Sequence, residues 1–162
     1  MRAEVGDVST NHARPFPLGR TARLAVLASG RGSNLASLLA AFPPAIEPSA
    51  GDRSNLGSIG VVISNKRDAP ALSRARQAGV SAVHVPWDAH HPRDAFEAEV
   101  ARVLDAAAID LVCLAGFMRL LSPAFTARYA GRLLNIHPSL LPDFRGLHAQ
   151  RQALAAGVSE AG

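Results

Sequence analysis

RLAVLASGRGSNLASLLAAF, residues 23–42, decides the fold, because an apolar run, a glycine-rich turn and a helical pattern follow one another without a break. RLAVLAS (23–29) is apolar at nearly every position, the mark of a strand buried on both faces of a sheet. NLASLLAAF (34–42) has helical spacing and stops at Pro43-Pro44, where the rings remove the N–H groups that a further turn needs. Between them, SGRGSN (29–34) turns the chain sharply. A buried strand that passes through a tight glycine turn into a helix is the first half of a βαβ unit.

The rest of the chain repeats that grammar. PPAIEPSAGDRSNLGS (43–58) is a loop by composition, and SIGVVIS (58–64) reads as a second strand. DAPALSRARQAG (68–79) carries a capping aspartate, Asp68, a proline in the first turn and a closing glycine, the punctuation of a helix. SAVHVP (81–86), DLVCLAG (110–116) and RLLNI (132–136) read as strands; PRDAFEAEVARVLDAA (92–107), SPAFTARYAG (122–131) and HAQRQALAAG (148–157) read as helices. Strict alternation of strand and helix implies right-handed crossovers. The expected fold is therefore α/β, a doubly wound, Rossmann-like and mostly parallel sheet with helices on both faces. Residues 1–22, with Pro15, Pro17 and Gly19 and no periodicity, read as a loose N-terminal extension to a folded unit over 23–162.

Composition narrows the function classes. The chain has 162 residues, about one domain, and 48% hydrophobic against 19% charged residues is a globular balance. No apolar run approaches the ~20 residues that cross a bilayer, and the N-terminus lacks the apolar core of a secretory signal, so no membrane partner is expected. Cys113, the single cysteine, lies inside DLVCLAG and reads as a small buried hydrophobe; with nothing pointing to an oxidising compartment, a cytoplasmic setting is expected. The net charge is +4, and 16 of the 17 basic residues are arginine, Lys66 being the exception. They are scattered and never form a run, so no nucleic-acid partner is expected; the charge fits an anionic small substrate and a solvated surface equally.

Three unusual loops follow strands, and in a doubly wound sheet ligands bind beyond the carboxyl ends of the strands. SGRGSN lacks the Gly-Lys-Ser/Thr of a P-loop, and Leu35 stands where a dinucleotide fingerprint has its third glycine. Two readings stay open: a cradle for a single phosphate group at a helix N-terminus, and a plain tight turn. GFMRLLSP (116–123) places bulky apolar residues after a glycine, which suits the wall of a flat heterocycle as well as ordinary packing. In LLNIHPSLLPDFRG (133–146), alternation along a strand points Asn135 and His137 one way and Ile136 into the opposite layer. An imidazole on a crevice rim shuttles protons near neutral pH, and an asparagine amide donates to developing negative charge. That couple suits acyl or formyl transfer; a structural histidine at a strand end is the other reading. No G-x-S-x-G elbow supports serine hydrolysis, and the adjacent His90-His91 lack a spaced partner, so no metal site is expected.

Five segments in order — GRGSNL (30–35), SNKRDA (64–69), LAGFMRLLSPAF (114–125), NIHPSLLP (135–142) and GLHAQRQAL (146–154) — closely resemble the folate-dependent phosphoribosylglycinamide formyltransferases. The resemblance covers roughly residues 23–160. It implies a formyltransferase-like fold and transfer of a formyl group from 10-formyltetrahydrofolate, as co-substrate, to the amine of glycinamide ribonucleotide in purine synthesis. It also implies small-molecule partners and a monomer or homodimer. Carried over motif by motif, Gly32, Ser33 and Asn34 hold the substrate's phosphate through backbone amides. Arg93 lies near the folate, Met118, Arg119, Leu120 and Leu121 line the pterin pocket, Asn135 contacts the formyl group, and His137 donates the proton.

There are departures from the family pattern. Arg145 stands where proline is common, and Ala149-Gln150 follow His148 where Thr-His is familiar. In the family an aspartate on a downstream loop pairs with the histidine; this sequence stops at Gly162, before that loop and the closing strands, and Asp143 is not nominated in its place. The expectation is a formyltransferase domain lacking its C-terminal strands. Two alternatives accompany it: another 10-formyltetrahydrofolate enzyme (a deformylase or a methionyl-tRNA formyltransferase) sharing the Asn-x-His core, against which GRGSN and HPSLLP argue, and a shortened non-catalytic product.

Overall fold

The computed structural model describes residues 20–44, 57–88, 90, 92–146 and 148–160. Strand and helix alternate within them as β1 (Ala22–Leu27), α1 (Ser33–Ala41), β2 (Gly57–Ser64), α2 (Pro70–Gln77), β3 (Ser81–His84), α3 (Arg93–Ala106), β4 (Leu111–Leu114), α4 (Pro123–Arg128), β5 (Leu133–Asn135) and α5 (Ala149–Ala155). The strands form one parallel sheet in the order β3-β2-β1-β4-β5. This is the doubly wound sheet that the alternation predicts.

Two apolar layers hold it together. Alternate residues of β1 divide between them: Leu24 and Val26 meet Leu35 of α1 and Ala71 and Ala75 of α2, while Ala25 and Leu27 meet Phe96 and Val100 of α3 and Phe125 of α4. Helices therefore cover both faces, and this is why strand one is apolar throughout. β2 keeps its phase by a bulge. Leu24 pairs with Ile59 and Ala25 with Val61, so Gly60 is the extra residue. The insertion sends Ile59 to one layer and Val61 to the other.

Several boundaries and contacts differ from the sequence reading. Asp68 does not cap α2. Pro70 takes the first helical position, so the cap falls on Ala69, which has no side-chain bond to give. The far end of α2 closes as expected, with Gly79 at φ +73° and its N–H donating to Arg76 O at 3.0 Å. The folded unit also begins before residue 23: Ala22 opens β1, and Arg20 makes a two-pronged pair with the buried Asp110 at 2.7 and 2.8 Å. Residues 1–19 of the expected loose extension, and most of the expected loop 43–58, lie outside the described residues.

Candidate active site

Strand order reverses between β1 and β4: from β1 the chain steps outward to β2 and β3, then returns to the other side for β4 and β5. The loops after β1 and β4 lead to helices on opposite faces, α1 and α4, and the gap between such loops is where doubly wound sheets bind ligands. Ser29, 3% exposed, bridges it. Its N–H donates to Gly116 O at 3.1 Å, and its Oγ accepts from Met118 N at 2.9 Å and donates to Asn65 Oδ1 at 2.7 Å. One side chain thus ties together the loops that follow β1, β2 and β4.

On the first loop, Gly32 is buried and takes φ +75° as the residue preceding α1. A Cβ there would lie 3.0 Å from Ala71 Cα, so any side chain would require α2 to give way by a few tenths of an ångström. Gly32 has no side chain with which to cap α1, so the N–H groups of the first turn point outward uncapped. Ser33 and Asn34 are exposed on that turn. Uncapped amides at a helix N-terminus are the donor set a phosphate takes.

On the loop after β4, Phe117 turns inward and stacks on Phe96 with centroids 5.8 Å apart. Met118 and Leu120 turn outward, 67% and 83% exposed. With Arg119 they line an open cavity of about 580 Å³, completed by Trp87 and by Arg93 and Asp94 at the start of α3. The structure so brings together Arg93, Met118, Arg119 and Leu120. It does not bring Leu121 to that cavity: Leu121 is partly buried against the aromatic core. The loop's far end is fastened by Ser122, whose N–H and Oγ donate to the buried Glu97 at 2.6 and 2.5 Å. The same Oγ accepts from Phe125 N at 3.0 Å and caps α4.

The third loop leaves β5, whose Asn135 pairs with Leu114 of β4. The strand ends there, so His137 stands two residues beyond it. Asn135 is exposed and His137 half-buried. Ile136 does not enter a layer as expected: it is 63% exposed, and Leu134 on the same face 55%, because β5 is an edge strand that no described element covers on that side. His137 Nε2 lies 3.4 Å from Phe144 O. Ser139, buried, closes the loop by donating to Asp143 O at 2.8 Å. Among the described residues no carboxylate bonds to His137, and no cluster of three or more His, Cys, Asp or Glu side chains could hold a metal; His91 lies outside them. Cys113 is buried in the sheet, and burial pushes its thiol pKa up.

Ser29, Asn65 and Trp87 complete this edge beyond the candidate residues of the sequence motifs. Ser29 and Asn65 sit inside the quoted motifs, but bonds across strands distant in sequence leave no local sign. Trp87 does carry one: it is the single tryptophan, placed just after a strand on the carboxyl edge of the sheet.

Residues 22–162 match the family described as formyl transferase. The chain belongs to the formyl transferase family. It is 48% identical over 139 residues to the phosphoribosylglycinamide formyltransferase of Escherichia coli (strain K12), covering 86% of this chain and 62% of that protein. It is 46% identical over 143 residues to the trifunctional purine biosynthetic protein adenosine-3 of Drosophila melanogaster, covering 88% of this chain and 10% of that one. Among solved structures, glycinamide ribonucleotide transformylase 1 of Symbiobacterium toebii superposes with TM-score 0.75 at 43% identity, over 94% of this chain and 68% of that one. This formyl transferase chain therefore spans less than two thirds of the length of the curated relatives it matches. Among the described residues, no helix is long and apolar enough to cross a membrane.

Proposed function

We propose that the chain transfers a formyl group from 10-formyltetrahydrofolate to the amine of glycinamide ribonucleotide. The observation that carries this reading is the position of Asn135 and His137. They lie at the carboxyl end of β5, one strand away from the β1/β4 crevice, in a chain 48% identical to a phosphoribosylglycinamide formyltransferase. A cytoplasmic setting with small-molecule partners goes with it.

The roles follow from the chemistry of each loop. The amides of Gly32, Ser33 and Asn34 bind the phosphate and fix the ribonucleotide. The cavity beside Arg93, Met118, Arg119 and Leu120 is of ligand size and offers apolar surface with two guanidinium groups, which suits a flat heterocycle bearing carboxylates. Bound there, the folate supplies the one-carbon unit. As the substrate amine bonds to the formyl carbon, Asn135 donates a hydrogen bond to the oxygen where negative charge develops. His137 moves the proton: the amine loses one, and the folate nitrogen gains one as its bond to the formyl carbon breaks.

The test is tetrahydrofolate release from both substrates, by the 162-residue chain and by the same chain extended to its relatives' length. Release that depends on the ribonucleotide is expected. His137→Asn should lower turnover by roughly a hundred- to ten-thousand-fold. Formate release without the ribonucleotide, or no release from either form, overturns the reading.

A further inference from the structure

Trp87 enters the cavity from the loop after β3, and its surroundings are specific. Its ring packs at a tilt on Phe96 with centroids 4.8 Å apart and on Phe117 at 6.4 Å, which holds the indole at the outer side of an aromatic cluster. Arg119 sits over the exposed end. Its Cζ lies 5.3 Å from the indole centroid, and its Nη2 donates to Trp87 O at 3.3 Å. Arg93, the other cation of the cavity, has a carboxylate beside it, Asp94 at 3.7 Å. Among the described residues, Arg119 has no carboxylate within 4.0 Å. So Arg93 has a solvent-exposed carboxylate near its Nε, while Arg119 is held by an aromatic face and a carbonyl and, among the described residues, meets no carboxylate.

We propose that Trp87 is the positioning residue for Arg119, holding that guanidinium at the cavity wall so that the site selects ligands that carry a carboxylate next to a flat ring. The inference deepens the folate reading, on which the identity of the ligand rests. Indole and guanidinium attract through the ring's electron-rich face, and the ring's own packing makes it a rigid support. A flexible arginine would otherwise lose side-chain freedom on capturing the anion. Trp87 thus acts through Arg119, and it should matter to the carboxylate-bearing part of the ligand and not to the pterin.

Binding by titration calorimetry tests this, with three probes: folic acid, p-aminobenzoylglutamate and 6-methylpterin. Trp87→Leu should weaken folic acid and p-aminobenzoylglutamate by roughly 3- to 30-fold and leave 6-methylpterin unchanged. Trp87→Phe, which keeps a ring on Phe96, should recover most of the loss. In an Arg119→Leu background, Trp87→Leu should cost nothing further. Tryptophan emission of the wild-type chain should change with p-aminobenzoylglutamate, since Trp87 is the single tryptophan. Equal weakening of all three probes, an undiminished Trp87 effect without Arg119, or a wild-type chain that binds neither carboxylate probe overturns the proposal. Formyl transfer is assayed separately. Transfer with normal binding by the Trp87 variants defeats the positioning role alone, and Trp87-dependent binding without transfer defeats the activity alone.

Discussion

Ser29 shows how much of the crevice depends on one small side chain. Its hydroxyl serves as acceptor for Met118 N and donor to Asn65 Oδ1 in a site with almost no solvent access. Ser29→Ala would leave both partners unsatisfied, at a cost of about 1–3 kcal/mol. The urea midpoint should fall with an unchanged slope, and under the proposed function the KM for the folate should rise because Met118 N loses its anchor. An unmoved midpoint would remove Ser29 from this role. Cys113 behaves oppositely, as a group the fold keeps silent. Burial raises its thiol pKa, so as pH rises through the unfolded value the unfolded chain ionises first, and stability declines from that point upward. Iodoacetamide should label Cys113 slowly in the native chain at pH 8 and rapidly in urea; equal rates would contradict its burial. The silence of Cys113 was legible from its apolar neighbours. The bonds of Ser29 were not, since Asn65 and Met118 are 36 and 89 residues away.

At the scale of elements, glycine is where sequence and geometry meet most directly. Gly32 and Gly79 share the same left-handed backbone, at φ +75° and +73°. Only Gly32 also faces a close neighbour, with 3.0 Å to Ala71 Cα for an added Cβ; at Gly79 nothing lies within 4 Å. Each alanine variant bears the left-handed penalty of about 1–2 kcal/mol. Gly32→Ala bears in addition the displacement of α2 against α1. Thermal denaturation should therefore place Gly32→Ala below Gly79→Ala, and under the proposed function Gly32→Ala alone should raise the KM for the ribonucleotide. Equal stabilities would mean that α2 yields without strain. The helix α4 makes the complementary point. Ser122 was readable as its start from Ser-Pro spacing, and it does cap Phe125 N. That it also ties down Glu97 of α3 was not, because a carboxylate 25 residues upstream looks like any helix-surface acid. The Gly60 bulge escaped for a similar reason: SIGVVIS reads as an even apolar run, and a run buried on both faces carries no phase to reveal an insertion.

For the whole molecule, alternation of strand and helix was enough to foresee a parallel sheet with both faces covered, and with it which loops share the carboxyl edge. It was not enough to foresee which strands lie exposed. RLLNI has the apolar residues of a strand, and nothing in it marks a sheet edge, yet β5 is an edge with three residues and a neighbour on one side only among the described residues. Its outer face shows Leu134 at 55% and Ile136 at 63% exposure. An unpaired strand edge beside apolar side chains is a template for a second chain. The chain's charge of +4 opposes that encounter through like-charge repulsion, which salt screens over about 10 Å at 0.1 M. The 162-residue chain should therefore self-associate with rising concentration in sedimentation velocity, and more so as salt is added. Leu134→Lys places a charge on the edge and should shift the distribution toward monomer in low and high salt alike. It should change unfolding stability by no more than about 0.5 kcal/mol, as expected of an exposed position. Association that falls with salt would point to charge pairing instead of the apolar edge. A chain that stays monomeric throughout, or a lysine variant that associates as the wild type does, would mean that β5 is not the contact.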